Sequence, residues 1–182
     1  MDTLTKENVH FQIIRRYLIS MISPITKVIQ LAFVVNNIEA GIEHYRQIFG
    51  LTNWEVYTLA PPSLKHLRYH GTPGQFSLRQ AVALSNDGMQ YELIEPLTGP
   101  SIYHDFLELH GEGLHHIACE YAGNFDEAIS QFSQLGVVPI MQGSWGEIRF
   151  AYMDTEKKIG TCVEIWDIPN DYKFPVPEKI VP

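Results

Sequence analysis

Apolar and polar positions fall along this chain in short runs that occur twice in the same order. Residues 28–35 form an apolar, largely β-branched run, and Asn36 and Asn37 behind it supply a turn and a helix N-cap. Ile38, Ile42, Tyr45 and Phe49 then recur three or four apart, which predicts a helix with one apolar stripe, closed by Gly50. Strands are predicted at 54–59, 76–84 and 89–97, with a Pro- and Gly-containing loop over 61–75 and a hairpin signal at Asn86, Asp87 and Gly88. The same order follows again as a strand over 113–121, an amphipathic helix over 125–135 ending at Gly136, and strands near 138–142, 148–153 and 161–166.

The spacing supports a repeat. Gln30 to Gly50 and His116 to Gly136 both span 20 positions, so first strand and helix end superimpose. The predicted fold is α+β, two tandem βαβββ modules forming a cupped mixed sheet. Residues 27–100 make the first module, and 101–167 make a linker helix near 102–109 plus the second. Residues 1–26 are read as an N-terminal arm or helix, with Met21 as an alternative start, and 168–182 as an extended tail strapped over the domain or a dimer partner.

Strand alternation turns this pattern into chemistry, because successive residues face opposite sides of a sheet. Ile29, Leu31, Phe33 and Val35 suit the helix-covered face, which leaves Gln30 on the inner face with Val28, Ala32 and Val34. The same parity puts Glu92, His116 and Glu164 on the inner face of their strands. Each module therefore presents one metal-capable side chain on its first strand and one on its last. Two carboxylates buried in an apolar sheet are expensive unless something cationic neutralises them. The oxygen-rich set suits Mn²⁺, Co²⁺, Ni²⁺, Zn²⁺ or Mg²⁺. An inner-face His or strand Gln is, taken alone, more often structural; His115, of opposite parity, is read as a helix-side or surface residue.

Composition narrows the partners. The chain has 182 residues, 45% of them hydrophobic, and a formal net charge of −8 with no long basic run, so nucleic acid and an anionic membrane are not expected. Cys119 and Cys162 lie singly in apolar runs and read as buried thiols, which points to a reducing, cytoplasmic setting.

Residues 27–167 resemble the vicinal oxygen chelate superfamily of glyoxalases, bleomycin-resistance proteins and dioxygenases. The resemblance rests on residues 30–35 with the helix after them, on Tyr91 to Leu97, on Gly113 to Ala118 and on Gly160 to Ile165. The stretch from Glu92 through residues 101–107 to His116 is most similar to the methylmalonyl-CoA epimerase-like branch. The resemblance implies metal ligands at Gln30, Glu92, His116 and Glu164, catalysis by Glu164 and Glu92, and a small-molecule substrate, an acyl-CoA thioester foremost. It implies an isomerase or epimerase that moves a proton alpha to a carbonyl, working as a homodimer. Two departures stand out. Gln30 stands where the family commonly has His, a substitution also found in some glyoxalase I enzymes, and residues 59–66 lack the loop carboxylate of the epimerases. A glyoxalase I-type lactoylglutathione lyase is the enzymatic alternative, and a non-catalytic small-molecule-binding or resistance protein is the alternative of another class. Substrate-binding roles are expected for Trp166 and for Lys65 and Arg68, whose loop would grip a distal phosphate or carboxylate or else be an ordinary solvated loop.

Overall fold

A computed structural model of the chain describes residues 23–182; most of the expected N-terminal arm, with Met21, lies outside them. The first module contains β1 (Ile25–Val34), α1 (Ile38–Phe49), β2 (Trp54–Leu59), β3 (Leu64–Tyr69), β4 (Thr72–Pro73), β5 (Ser77–Leu84) and β6 (Gln90–Thr98). Helix α2 (Ile102–His110) leads to the second, with β7 (Gly113–Tyr121), α3 (Phe125–Gln134), β8 (Pro139–Trp145), β9 (Ile148–Met153), α4 (Glu156–Ile159) and β10 (Cys162–Asp167). A last strand, β11 (Lys179–Val181), ends the chain.

Local chemistry fixes the helix ends. The Asn37 side chain accepts a hydrogen bond from the Ala40 N–H at 2.8 Å, and Gly50, at φ 69°, turns the chain out of α1 in the left-handed region. Asn124 and Glu127 form a reciprocal capping box at the start of α3.

All eleven strands join one sheet in the order β11-β2-β5-β6-β1-β7-β10-β9-β8-β3-β4. At its centre β6 and β1 run parallel, β1 and β7 antiparallel, and β7 and β10 parallel, so each module contributes its first and last strands to the middle. Helices α1 and α3 cover the outer face. Ile38 and Ile42 of α1 pack with Leu93 and Ala81, while Phe125, Ala128 and Phe132 of α3 pack with Cys119, Val163 and Ile165. The inner face carries a third cluster that includes Val34, Ile94, Tyr103, Tyr152 and Cys162. No helix among the described residues is long and apolar enough to cross a membrane.

Two details depart from the sequence reading. Residues 61–75 are not a plain loop, since β3 and β4 lie within them and β3 pairs with β8 at the far end of the sheet. The apolar signal was hidden by a register shift between Lys65 and Arg68, with His66 at φ 54°. Leu64 and Leu67 are consequently both buried although three residues apart. A second register shift, between Val28 and Gln30, sends Val28 to the α3 side and leaves Gln30 inside the cup. The tail follows its own chain back to the first module, where β11 pairs with β2 and the Glu178 carboxylate accepts hydrogen bonds from the Thr58 N–H and hydroxyl at 3.1 and 3.0 Å.

Candidate metal centre

The register of the four central strands sets two rows of residues across the floor of the cup. One row runs Gln90, Gln30, Ala118, Glu164; the next, two residues along, runs Glu92, Ala32, His116, Cys162. In each row an alanine separates two metal-capable side chains. Strands lie about 4.8 Å apart, so Glu92 and His116 start nearly 10 Å from one another and must reach towards each other over the Ala32 methyl group. Both alanines are fully buried and add no bulk where the long side chains converge.

Convergence is observed. The His116 imidazole Nε2 stands 3.4 Å from a Glu92 oxygen and 3.3 Å from a Glu164 oxygen, and Gln30, Glu92, His116 and Glu164 are all at most 5% exposed. Neither contact is a hydrogen bond: His116 Nε2 and Gln30 Oε1 are buried polar atoms with no partner. Orphaned atoms of this kind are costly and ask for a ligand. Donors at about 2.1 Å from one ion sit roughly 3.0–3.4 Å apart in octahedral or tetrahedral geometry, and the His116 distances match that separation. Among the described residues no three His, Cys, Asp or Glu side chains stand together as a preformed metal cage. The fit therefore rests on the pairwise distances and the two orphaned atoms. A divalent cation would be held by Gln30, Glu92, His116 and Glu164.

Two neighbours that sequence reasoning passed over orient these donors. Gln90 accepts a 2.6 Å hydrogen bond from Gln30 Nε2, which turns Gln30 Oε1 away as the free acceptor. Of the two settings expected for His115, helix side or surface, it takes the first: it is buried, its ring packs against Tyr103 and Phe106 of α2, and its Nδ1 is 2.9 Å from His116 Nδ1. Burial, then the charge of His116, holds the His115 pKa well below the ordinary range. A neutral His115 can accept a hydrogen bond from His116 Nδ1–H, the tautomer that leaves the His116 Nε2 lone pair for a metal. Parity alone concealed His115, whereas the adjacent His-His pair itself was the available signal.

The metal-free centre retains a proton. Burial works against charge on His116, but the Glu164 and Glu92 carboxylates outweigh it and raise the pKa to about 9; burial pushes Glu92 upwards too. Both groups hold protons more tightly folded than unfolded. The stability from His116 is thus complete below its unfolded value of 6.5 and is lost as pH rises through about 9. Metal-free protein should therefore lose stability between those pH values, by at most about 1.4 kcal/mol per unit for one proton, in denaturant titrations. Metal affinity should rise over the same window, since binding must displace that proton.

Above the floor lies a cavity of about 160 Å³. Glu92 and Glu164 open into it, Trp166, Tyr152 and Tyr103 line its walls, and Tyr57 and Trp145 meet edge to face at 5.5 Å. Tyr103 OH donates to Tyr152 OH at 2.7 Å, and Tyr152 is in register with Glu164. Trp166 is thus placed at the cavity, but Lys65 and Arg68 are not among its lining residues. In β3 it is Leu64 and Leu67 that turn inward, and the exposed Arg68 donates to the Gly71 carbonyl at 2.6 Å.

Comparison with known proteins agrees with this geometry. The sequence profile of the glyoxalase/bleomycin resistance protein/dioxygenase superfamily matches residues 29–152. The uncharacterized protein YqjC of Bacillus subtilis (strain 168) is 38% identical over 86 residues, which cover 46% of this chain and 61% of that relative. Among solved structures, methylmalonyl-CoA epimerase from Mycobacterium tuberculosis superposes with a TM-score of 0.59 at 19% identity, over 81% of this chain and 91% of its own. A Streptomyces coelicolor methylmalonyl-CoA epimerase in complex with 2-nitronate-propionyl-CoA gives 0.57 at 22% identity, over 83% and 99%. At such identities the likeness establishes the fold alone.

Proposed function

The chain belongs to the glyoxalase/bleomycin resistance protein/dioxygenase superfamily, and from that premise we propose that it is a divalent-metal-dependent isomerase moving a proton on the carbon next to a carbonyl. The observation that carries this reading is the pair of orphaned atoms, Gln30 Oε1 and His116 Nε2, on a floor shared with two buried carboxylates beneath a cavity open at its mouth. The ion, when bound, supplies charge neutralisation and polarises the substrate carbonyl. Gln30 and His116 hold it, each fixed by the neighbour that orients it. Glu164 or Glu92, both facing the cavity, takes the carbon-bound proton and returns it. Tyr152, receiving the Tyr103 hydrogen bond, keeps its own proton to direct at Glu164.

The epimerase-like neighbours support an acyl-CoA thioester as substrate; Gln30 in the first-ligand position supports a glutathione hemithioacetal. A non-catalytic binding protein is the second reading. It is favoured by the contact His116 already makes with both carboxylates, which partly neutralises them without an ion. We also place the protein in the reducing cytosol, supported by the buried free thiols Cys119 and Cys162.

Elemental analysis after exhaustive dialysis and add-back of Mn²⁺, Co²⁺, Ni²⁺ or Zn²⁺ tests the proposal. About one tightly held ion per chain is expected, with metal-dependent incorporation of solvent deuterium into an acyl-CoA thioester or a hemithioacetal. No ion under any of these conditions would leave the binding-protein reading.

A further inference from the structure

The cavity wall carries information about what enters it. The charged residues lining it, among those described, are Glu55, Glu92 and Glu164; all are acidic, and no Lys or Arg stands with them. Three arginines beside the wall strands are committed elsewhere. Arg79 is paired with Glu39 and Glu95, Arg149 with Asp126 and Asp167, and Arg68 with the Gly71 carbonyl. A dication would balance Glu92 and Glu164 but not Glu55. A substrate carboxylate or phosphate brought inside would lose its water beside an acidic wall and find no cation there.

The rest of the wall is aromatic. Tyr57 and Trp145 face each other at 5.5 Å, and Phe174 of the tail packs on Trp145 at 6.3 Å and also lines the space. A volume of about 160 Å³ is close to that of an engineered apolar cavity of roughly 150 Å³ that takes up benzene. At the end away from the floor, Tyr57 OH donates to Glu55 Oε2 at 2.6 Å, which fixes the carboxylate and leaves its second oxygen free to accept.

We infer that the substrate presents to this cavity an uncharged, ring-sized apolar group bearing a hydrogen-bond donor at its far end, and that the cavity grips no substrate anion. The aromatic walls hold the ring, Glu55 reads the donor, and the near end of the molecule reaches the floor. The chelating part of this inference rests on the proposed metal-dependent reading; the ring and donor parts stand on the wall alone.

Calorimetric titration of the metal-free and Zn²⁺-loaded protein with three probes tests it: 2-hydroxyacetophenone, its 4'-hydroxy derivative and hydroxymalonate. Both ketones should bind at least about tenfold more tightly than hydroxymalonate, reflecting the unpaired anion penalty. The 4'-hydroxyl should improve binding several-fold, and Glu55→Leu should remove that gain while leaving 2-hydroxyacetophenone unaffected. Glu55 and Phe174 are exposed at the mouth, so Glu55→Leu and Phe174→Ala leave the core intact, and Phe174→Ala should weaken both ketones. Equal or tighter binding of hydroxymalonate overturns the inference. If no metal is bound yet the ketones still bind, the isomerase reading falls and this one stands; if metal is bound and the ketones are not, this one falls alone.

Discussion

Replacing Glu164 by Gln is expected to cost at least about a thousandfold in proton-exchange rate and to strip the bound ion, because one change removes a charged ligand and a candidate base. The fold should survive it. In the metal-free protein one imidazole lies against two carboxylates, both almost fully buried, so the centre carries an excess of negative charge. With Gln at this position Glu92 and His116 form a balanced pair, and an amide fills the same space. The metal-free variant should melt no lower than its parent in calorimetry, while elemental analysis and deuterium exchange show the losses. A variant that melts many degrees lower yet keeps its ion would mean that Glu164 is a structural partner of His116 and not a ligand.

Ala118→Leu should empty the centre without touching any ligand. Ala118 lies between Gln30 and Glu164 in register, and its flanking residues Ile117 and Cys119 face the α3 side, so its methyl group points into the cup. Three added carbons would occupy the ground over which those side chains converge. Overpacking of this sort costs about 1–3 kcal/mol, a loss that a folded domain of this size can absorb. Bound metal should fall below detection after dialysis, whereas Ala118→Ser, barely larger, should retain it. Retention of a full ion by the Leu variant would show that the donors meet elsewhere than above the two alanines.

Much of this was legible in the sequence, for a definite reason. At Gln30, Glu92, His116 and Glu164 themselves parity assigns the face that the structure shows, and the repeat independently picks out the same four positions, so parity and spacing converge on one place. Where alternation breaks, legibility stops. The register shift at Val28 inverted one residue's face, and the one beside His66 disguised β3 as a loop, which in turn made Lys65 and Arg68 look available to a ligand. Parity assigns His115 outward, but a further register shift, between Ala32 and Phe33, falls at this residue, and its ring packs with Tyr103 and Phe106 of α2 while one nitrogen meets His116. The orienting role of Gln90 depends on which amide atom points where, and no pattern of hydrophobicity encodes that. Nor did the tail's composition name β2 as its resting place.

Each module lends the other its outermost strand. β3, from the first module, closes the second at β8, and β11, at the chain's end, closes the first at β2. Gly143 permits the first of these approaches, because a Cβ there would lie 2.6 Å from Leu67 Cδ2. During synthesis the order of events follows from this. The segment that becomes β3 leaves the ribosome some 80 residues before Trp145, its partner to Leu64, and β2 waits longer still for residues 179–181. Through that interval two strand edges stand unpaired, in a chain whose contacts are mostly between distant residues and whose folding is correspondingly slow. The nascent first module is thus the form of this protein most exposed to edge-to-edge aggregation, and release of the last three strand residues is the event that ends its vulnerability.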